Sequence, residues 1–512
     1  MDSRLISKFC FIVVILSYGC KSNPDTTPIS PPTISWDQLP VVSIRSNTSA
    51  VVSATMTAGI TGQDVTLGFV YSKTNAQPTL SDSKTTHQVT ITTLPYVMRD
   101  SLTGLEANAN YFIRAYLTSS TGTAYSSAAT FQMKISLSDA FTQTLTSLLQ
   151  NRDIGYGFVI YGSDEMKTSG SGGLKSRAVD LEGAKPYTID TKMHIASMSK
   201  TIAAMAFTQL AAQKGIRTSD KISKYLPASW TKGENVDQIS FLDLFNHRSG
   251  IIGLGSNCLN GSYSENIYAG LKQLIAKGVK TTDRGKYCYQ NANIGLMRIL
   301  IPAMTDYVFT GNDVTDDQQT QQLYLAYVQK NIFEKVGLTN IIPTYPSGDP
   351  TYCYTYPYPT GQKGWNPGSF SSTLGAYGWY LTPREAGKLY GTVLSSTDQS
   401  VLPTAYKDTL LLNNLGCFRI ADVSGNIAYH DGWWYYSSQQ PYVGLRTVWM
   451  KFPNNMTVVL FVNSLNSQTS LFPSDNNIDI VPFVVRAYTT ARQLSGGRVI
   501  NVPLVLEHPE PH

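Results

Sequence analysis

The stretch His194-Ile-Ala-Ser197-Met-Ser-Lys200-Thr201, with the apolar run that follows it to Gly215, decides how this chain is read. Ile202, Met205 and Leu210, with small alanines between them, predict a helix over Ser197 to Gly215. Ser197 and Lys200 stand three apart at its start, so both face one side. A serine hydroxyl is a poor nucleophile until a base lies within hydrogen-bond reach. A lysine drawn partly out of water against the helix holds its proton less tightly and can serve as that base. Amides at the helix start favour negative charge developing nearby. The spacing alone has little force, because Ser81/Lys84 and Ser229/Lys232 repeat it. Ser197 stands apart through its small neighbours, the buried-type helix after it, and two polar clusters downstream.

The first cluster is Tyr289-Gln-Asn291, within YCYQNANIGLMRIL (287–300). A phenol near an ammonium sheds its proton more easily and can relay one to a leaving group. An Asn amide beside it can fix the Ser/Lys geometry and hold a substrate carbonyl. Read alone, the pair equally suits the cap of the apolar helix that follows. The second cluster is His430-Asp-Gly432, before Trp433-Trp434-Tyr435-Tyr436. Glycine lets a substrate backbone come close to a strand, and the next amide can complete an oxyanion hole. Read alone, it is a strand end with a surface histidine.

The order Ser-x-x-Lys, Tyr-x-Asn, His-x-Gly resembles the serine β-lactamase-related hydrolases, closest to the class C and D-aminopeptidase/esterase branch. Asp190-Thr191, Lys224-Tyr-Leu-Pro227, ISFLDLFNHRSG (239–250), IFEKVGLTN (332–340) and LTPREAG (381–387) match in the same order, so the resemblance spans 138–495. It implies an α/β part and an all-α part, as in β-lactamases and transpeptidases, with the site between them. It implies that Ser197 forms an acyl-enzyme, with Lys200 as base, Tyr289 as proton relay and Asn291 orienting. The amides of Ser197 and Trp433 would form the oxyanion hole beside His430 and Gly432. His247 and Ser249 match a structural loop. The departure lies in the third motif, where β-lactamases of this branch usually carry Lys-Thr-Gly. His430 is mostly neutral near pH 7 and Asp431 is an anion. With both facing the site, a substrate carboxylate would lose attraction and meet repulsion. The expected reaction is therefore hydrolysis or transfer of an ester or amide acyl group, to water or to an alcohol acceptor with a bulky apolar body. D-amino-acid peptide or β-lactam hydrolysis is the alternative, and a catalytically silent binding lipoprotein is a reading of another class. Tyr352, Tyr354, Tyr356 and Tyr358, with Trp365, Trp379 and the 433–436 run, suit either aromatic substrate walls or core packing.

Working outward, 512 residues at 42% hydrophobic and 15% charged exclude a disordered chain, and a net charge of +5 without a basic block gives no argument for nucleic acid. No H-E-x-x-H or C-x-x-C is present, and neither metal nor cofactor is expected. Residues 37–134 read as an all-β sandwich of short strands, including Val65–Tyr71, Val89–Thr92 and Tyr111–Leu117. Gly104-Leu105, Asn108 and Tyr111 look like a tyrosine corner, and the segment resembles a fibronectin type III module, a spacer. After it, Phe141, Leu145, Leu148 and Leu149 predict a helix, Gly155–Tyr161 a strand, and the Gly/Ser-rich 163–175 a loop. Strands are expected again at Arg446–Met450 and Thr457–Val462, and a last helix near 481–493.

Residues 1–20 read as a leader: Arg4 and Lys8, then an apolar run from Phe9 to Tyr18, too short to span a bilayer. Ser17-Tyr18-Gly19-Cys20 looks like a loose bacterial lipobox, with Cys20 lipidated, 21–36 a flexible tether and 496–512 a tail. The expectation is a membrane-anchored envelope protein. Cys258, Cys288, Cys353 and Cys417 allow up to two disulfides, in three possible connectivities.

Overall fold

The computed structural model describes residues 30–46, 48–162, 165–422, 425–436, 441–474 and 477–496. The leader with Cys20, the tether as far as 29, and the tail from 497 lie outside the described residues. The chain divides between Lys134 and Ile135 into two compact units.

The first unit follows from strict alternation. Strand Ala50–Ala58 buries Ala50, Val52, Ala54 and Met56 on one face. It pairs with Val41–Ile44 on one edge and Tyr96–Leu102 on the other. A second sheet is built on Asp64–Ser72, flanked by Asn110–Ser119 and His87–Thr90. Val52, Met56, Phe69, Ile113 and Leu117 from the two sheets share one core. The Tyr111 hydroxyl accepts the Glu106 N–H at 3.0 Å, the bond a tyrosine corner makes.

The second unit opens with helix α1 (Leu137–Leu149), whose cap Ser136 accepts the Asp139 N–H. Strands β1 (Tyr156–Gly162) and β2 (Glu165–Gly172) follow. Helices α2 (Ser199–Lys214), α3 (Asn291–Gly295), α4 (Met297–Met304) and α5 (Asp313–Val328) lie in the middle. Then come β3 (Tyr354–Tyr356), α6 (Pro383–Val393), β4 (Phe418–Asp422), β5 (Gly425–Tyr436), β6 (Val443–Lys451), β7 (Met456–Val462), β8 (Ser464–Asn466) and α7 (Ile480–Leu494). The eight strands make one sheet in which β2, β1, β7 and β6 are successive neighbours, β5 lies on the other edge of β6, and β4 lies beyond it. All pairings are antiparallel except β3 with β8. One face, through Val159, Tyr161, Phe461 and Trp449, joins the large core that contains α2 and α6. On the other face α1 and α7 pack together, Phe141 and Tyr488 meeting edge-on at 5.6 Å. Helix α2 is buried on every side from Ser199 to Ala211, which is why its sequence shows no polar stripe.

The predicted loop at 163–175 is corrected: Glu165–Gly172 is an edge strand. Gly170 and Gly172 pair with Phe158 and Tyr156. A Cβ at Gly170 would lie 2.5 Å from the Phe158 ring. The glycines leave room for rings lying across from the next strand, so here they mark packing, not a turn. Cys258 and Cys288 form a disulfide, while Cys353 and Cys417 are buried free thiols whose burial pushes their ionisation upward. Among the described residues no helix is long and apolar enough to cross a membrane.

Candidate active site

Ser197 does not begin the helix, as its sequence suggested. It sits on a 3-10 turn, Ala196–Met198, and α2 starts at Ser199. The turn is made by Ala196 at φ +46°, a left-handed conformation that costs an alanine about 1–2 kcal/mol. Such a cost persists only where the surroundings impose it. Here Thr447 Oγ1 donates to the Ile195 carbonyl at 2.9 Å, and the Tyr390 hydroxyl to the Met198 carbonyl at 2.8 Å. Ser197 is buried, with 8% of its surface exposed.

Lys200, one turn on, is fully buried. Its Nζ donates to Ser197 Oγ at 2.8 Å, Asn291 Oδ1 at 2.7 Å and the Ala376 carbonyl at 3.0 Å. As an ammonium Lys200 can donate to all three; as the neutral amine it donates to Asn291 and Ala376 and takes the Ser197 hydroxyl hydrogen. The Tyr289 hydroxyl lies 2.9 Å from the same Ser197 Oγ, and Lys200 Nζ is 4.9 Å from its ring centroid. Lys200 and Tyr289, from two distant segments, thus meet at Ser197 Oγ, and Asn291 joins them through Lys200 Nζ. Tyr289 rests on the His247 ring, 4.4 Å between centroids. His247 Nδ1 accepts from Gln290 N–H and Asn293 Nδ2, both at 3.2 Å, and Ser249 donates to Asn293 Oδ1 at 2.7 Å. His247 and Ser249 are the scaffold under the phenol.

The family model described as Beta-lactamase matches residues 140–479. The chain belongs to the β-lactamase family. Members of this family are serine hydrolases. Among solved structures the chain is similar to the penicillin-binding protein homologue from Pyrococcus abyssi, at 14% identity over 70% of this chain and 77% of that one, TM-score 0.50. It is also similar to FmtA from Staphylococcus aureus, at 18% identity over 71% and 91%, TM-score 0.50. These likenesses show the fold. No curated protein sequence matches.

The third motif of this β-lactamase-family chain lies inside β5, not at a strand end. Register pairs His430 with Trp449 and Gly432 with Thr447. Trp449 and Thr447 bond to Thr201 and Ile195, so His430, Gly432 and Trp434 face the nucleophile. A Cβ at Gly432 would lie 2.2 Å from Thr447 Oγ1 and 2.5 Å from the Ile195 carbonyl, so only glycine lets β5 approach the Ser197 turn. His430 Nδ1 is 2.7 Å from the Asp431 carbonyl, so Nδ1 carries the hydrogen. Burial, then the charge of Lys200, pulls its pKa down to about 3, and the ring is neutral. Asp431 corrects an expectation. Strand alternation turns it to the opposite face, where Arg446 Nη2 holds it at 2.8 Å and also holds Asp479. It does not repel a substrate at Ser197. The Trp433 ring lies on that far face too, 5.8 Å from the Arg446 guanidinium.

The aromatic residues divide. The Tyr354 hydroxyl accepts the Arg177 N–H at 3.0 Å, and the Arg177 guanidinium lies 3.5 Å over the Tyr358 ring, so these tyrosines pin a loop. Trp434 instead meets Tyr377 at 4.7 Å and Phe370 at 5.1 Å, next to the Ala376 carbonyl that binds Lys200. Sequence reasoning missed Ala376, Thr447 and Ala196. A backbone carbonyl, a strand register and a strained turn leave no side-chain signature. Among the described residues no three His, Cys, Asp or Glu side chains gather as a metal site.

Proposed function

We propose that this chain is an exported serine hydrolase or acyltransferase that works through acyl-Ser197 on an uncharged ester or amide. One observation carries the reading: Ser197 Oγ is reached at once by Lys200, at 2.8 Å, and Tyr289, at 2.9 Å. Ser197 Oγ bonds to the acyl carbon while its proton passes to Lys200. The ammonium so formed keeps Asn291 Oδ1 and the Ala376 carbonyl as acceptors, which stabilises that state. Tyr289 gives its proton to the leaving oxygen or nitrogen and recovers one from Lys200. Asn291 fixes Lys200. The amides of Ser197 and Trp433 take the oxyanion, a contribution of about 3 kcal/mol per donor. Water, or an alcohol, then attacks the acyl-enzyme by the same proton path in reverse.

The acyl donor is uncharged where β-lactams carry a carboxylate, because His430 is neutral and no lysine stands in its place. Trp434 and Tyr377 suit an apolar body on substrate or acceptor. Esters rank first, D-amino-acid peptides second and β-lactams third. We read the first unit, with its four- and six-stranded sheets and tyrosine corner, as a fibronectin type III-like spacer. We read Cys20 as the lipid anchor to the bacterial envelope.

The test is turnover of a panel of chromogenic acyl esters by the wild type and by Ser197→Ala. The reading expects loss of all turnover in the variant at unchanged melting temperature. Equal turnover by the two proteins would end it.

A further inference from the structure

The phenol that reaches Ser197 and the amide that reaches Lys200 come from a segment with little structure of its own, since α3 begins only at Asn291. Their placement depends on what grips that segment. Inside, the Cys288 N–H donates to the His247 carbonyl at 2.8 Å. Outside, residues 258–261 lie along 288–291 and hold them almost residue by residue. Cys258 is bonded to Cys288. Gln290 is fully buried, and both ends of its amide are used. Its Nε2 donates to the Leu259 carbonyl at 2.5 Å, and its Oε1 accepts the Gly261 N–H at 3.3 Å. Asn260 Oδ1 accepts the Asn291 N–H at 3.0 Å. The gripping segment has no helix or strand, and Cys258, Leu259 and Asn260 are exposed. Three hydrogen bonds at a solvent-exposed loop exchange with water readily. The covalent bond keeps them together by limiting how far the loop can leave.

We infer that the Cys258–Cys288 disulfide is a positioning clamp for Tyr289 and Asn291, so that turnover at Ser197 follows the oxidation state of this pair. The inference rests on the acyl-Ser197 reading above. Reduction by a dithiol breaks the S–S bond. Two electrons and two protons pass to the two sulfurs, and the dithiol closes to its own disulfide. Cys258 is the exposed residue of the pair, whereas Cys353 and Cys417 are buried thiols outside any disulfide, so exchange begins at the clamp. Neither cysteine touches substrate in this account, and Gln290 and Asn260 act through the residues they hold.

The experiment compares the full chain oxidised, reduced with dithiothreitol, and reoxidised. It reads kcat and KM on a chromogenic ester, and amide hydrogen exchange at 288–293. Loss of alignment by about 1 Å costs up to roughly a hundredfold, so kcat is expected to fall about ten- to a hundredfold on reduction, with KM changed little. Exchange at Gln290 and Asn291 should quicken, the melting transition stay cooperative, and reoxidation restore both. Cys258→Ser should behave as the reduced protein and ignore dithiothreitol. Asn260→Ala, which keeps the disulfide, should show a smaller kcat loss of the same kind and covers the case in which Cys258→Ser does not fold. Unchanged kcat on reduction, or unchanged exchange at 290–291, overturns the clamp. If the oxidised chain turns over no ester, the acyl-Ser197 reading has failed instead, and exchange alone still decides the clamp.

Discussion

The same four-residue spacing occurs in both units of the chain, and only one copy is built for chemistry. In the first unit Ser81 Oγ, on a turn, pairs with Thr79 at 2.8 Å and Lys84 Nζ, from the short strand Ser83–Lys84, caps the Leu80 carbonyl at 2.9 Å, both exposed. In the second, Ser197 and Lys200 are buried, lie 2.8 Å apart, and share their bonds with Tyr289, Asn291 and Ala376. The residue types and their separation are the same. What differs is desolvation and the acceptors brought in from elsewhere, which decide whether a lysine's proton serves a serine or merely ties a turn.

The sharpest way to break this contrast is to remove each lysine. Lys200→Ala should lower kcat on an ester by about a thousandfold, the range of a lost general base. Lys84→Ala should leave it unchanged in the same assay. A similar loss from both would mean that the geometry around Lys200 is incidental. Next in size is the far face of β5. Arg446→Met leaves the buried Asp431 and the partly exposed Asp479 without their cation and should destabilise by about 3–5 kcal/mol in urea unfolding. The folded variant should still acylate Ser197, because that ion pair faces away from it. Gly432→Ala comes after these. Overpacking against Thr447 should cost about 1–3 kcal/mol and push β5 from the Ser197 turn, so ester turnover should fall further than stability alone explains.

A further effect is a pH dependence within the second unit. Burial holds His194 and His430 at about 3, below the ordinary histidine value. The unfolded chain therefore binds more protons than the native chain between about pH 6.5 and 3. Their contribution is full above that window and is lost as pH falls through it, by about 1.4 kcal/mol per unit for each ring. His194→Phe, in a ring cluster with Phe370, Tyr380 and Trp434, should remove one proton from that slope. Urea midpoints measured across the window check it, and an unchanged slope would mean that His194 is not held neutral.

Much of this was legible in the sequence, and the limits have physical causes. The helix after Ser197 and the strands of the first unit could be read because side-chain type and period carry them, whereas the meeting of Ser197, Lys200, Tyr289 and Asn291 was what the family resemblance implied. The strand at 165–172 was hidden because Gly170 and Gly172 serve the rings of Phe158 and Tyr156 across the sheet. Asp431 was misplaced because facing depends on strand parity, which is fixed only once Gly432 is paired with Thr447. Ala376 acts through its carbonyl, for which any residue would do.

The central claim is that Ser197, and no other serine, is the nucleophile. The most direct test is intact-mass and peptide mass spectrometry of the folded chain after exposure to a fluorophosphonate. The account predicts one adduct per chain, on the peptide that carries Ser197, abolished by Ser197→Ala and untouched by Ser81→Ala. An unlabelled chain, or an adduct on another serine with Ser197 bare, would contradict it.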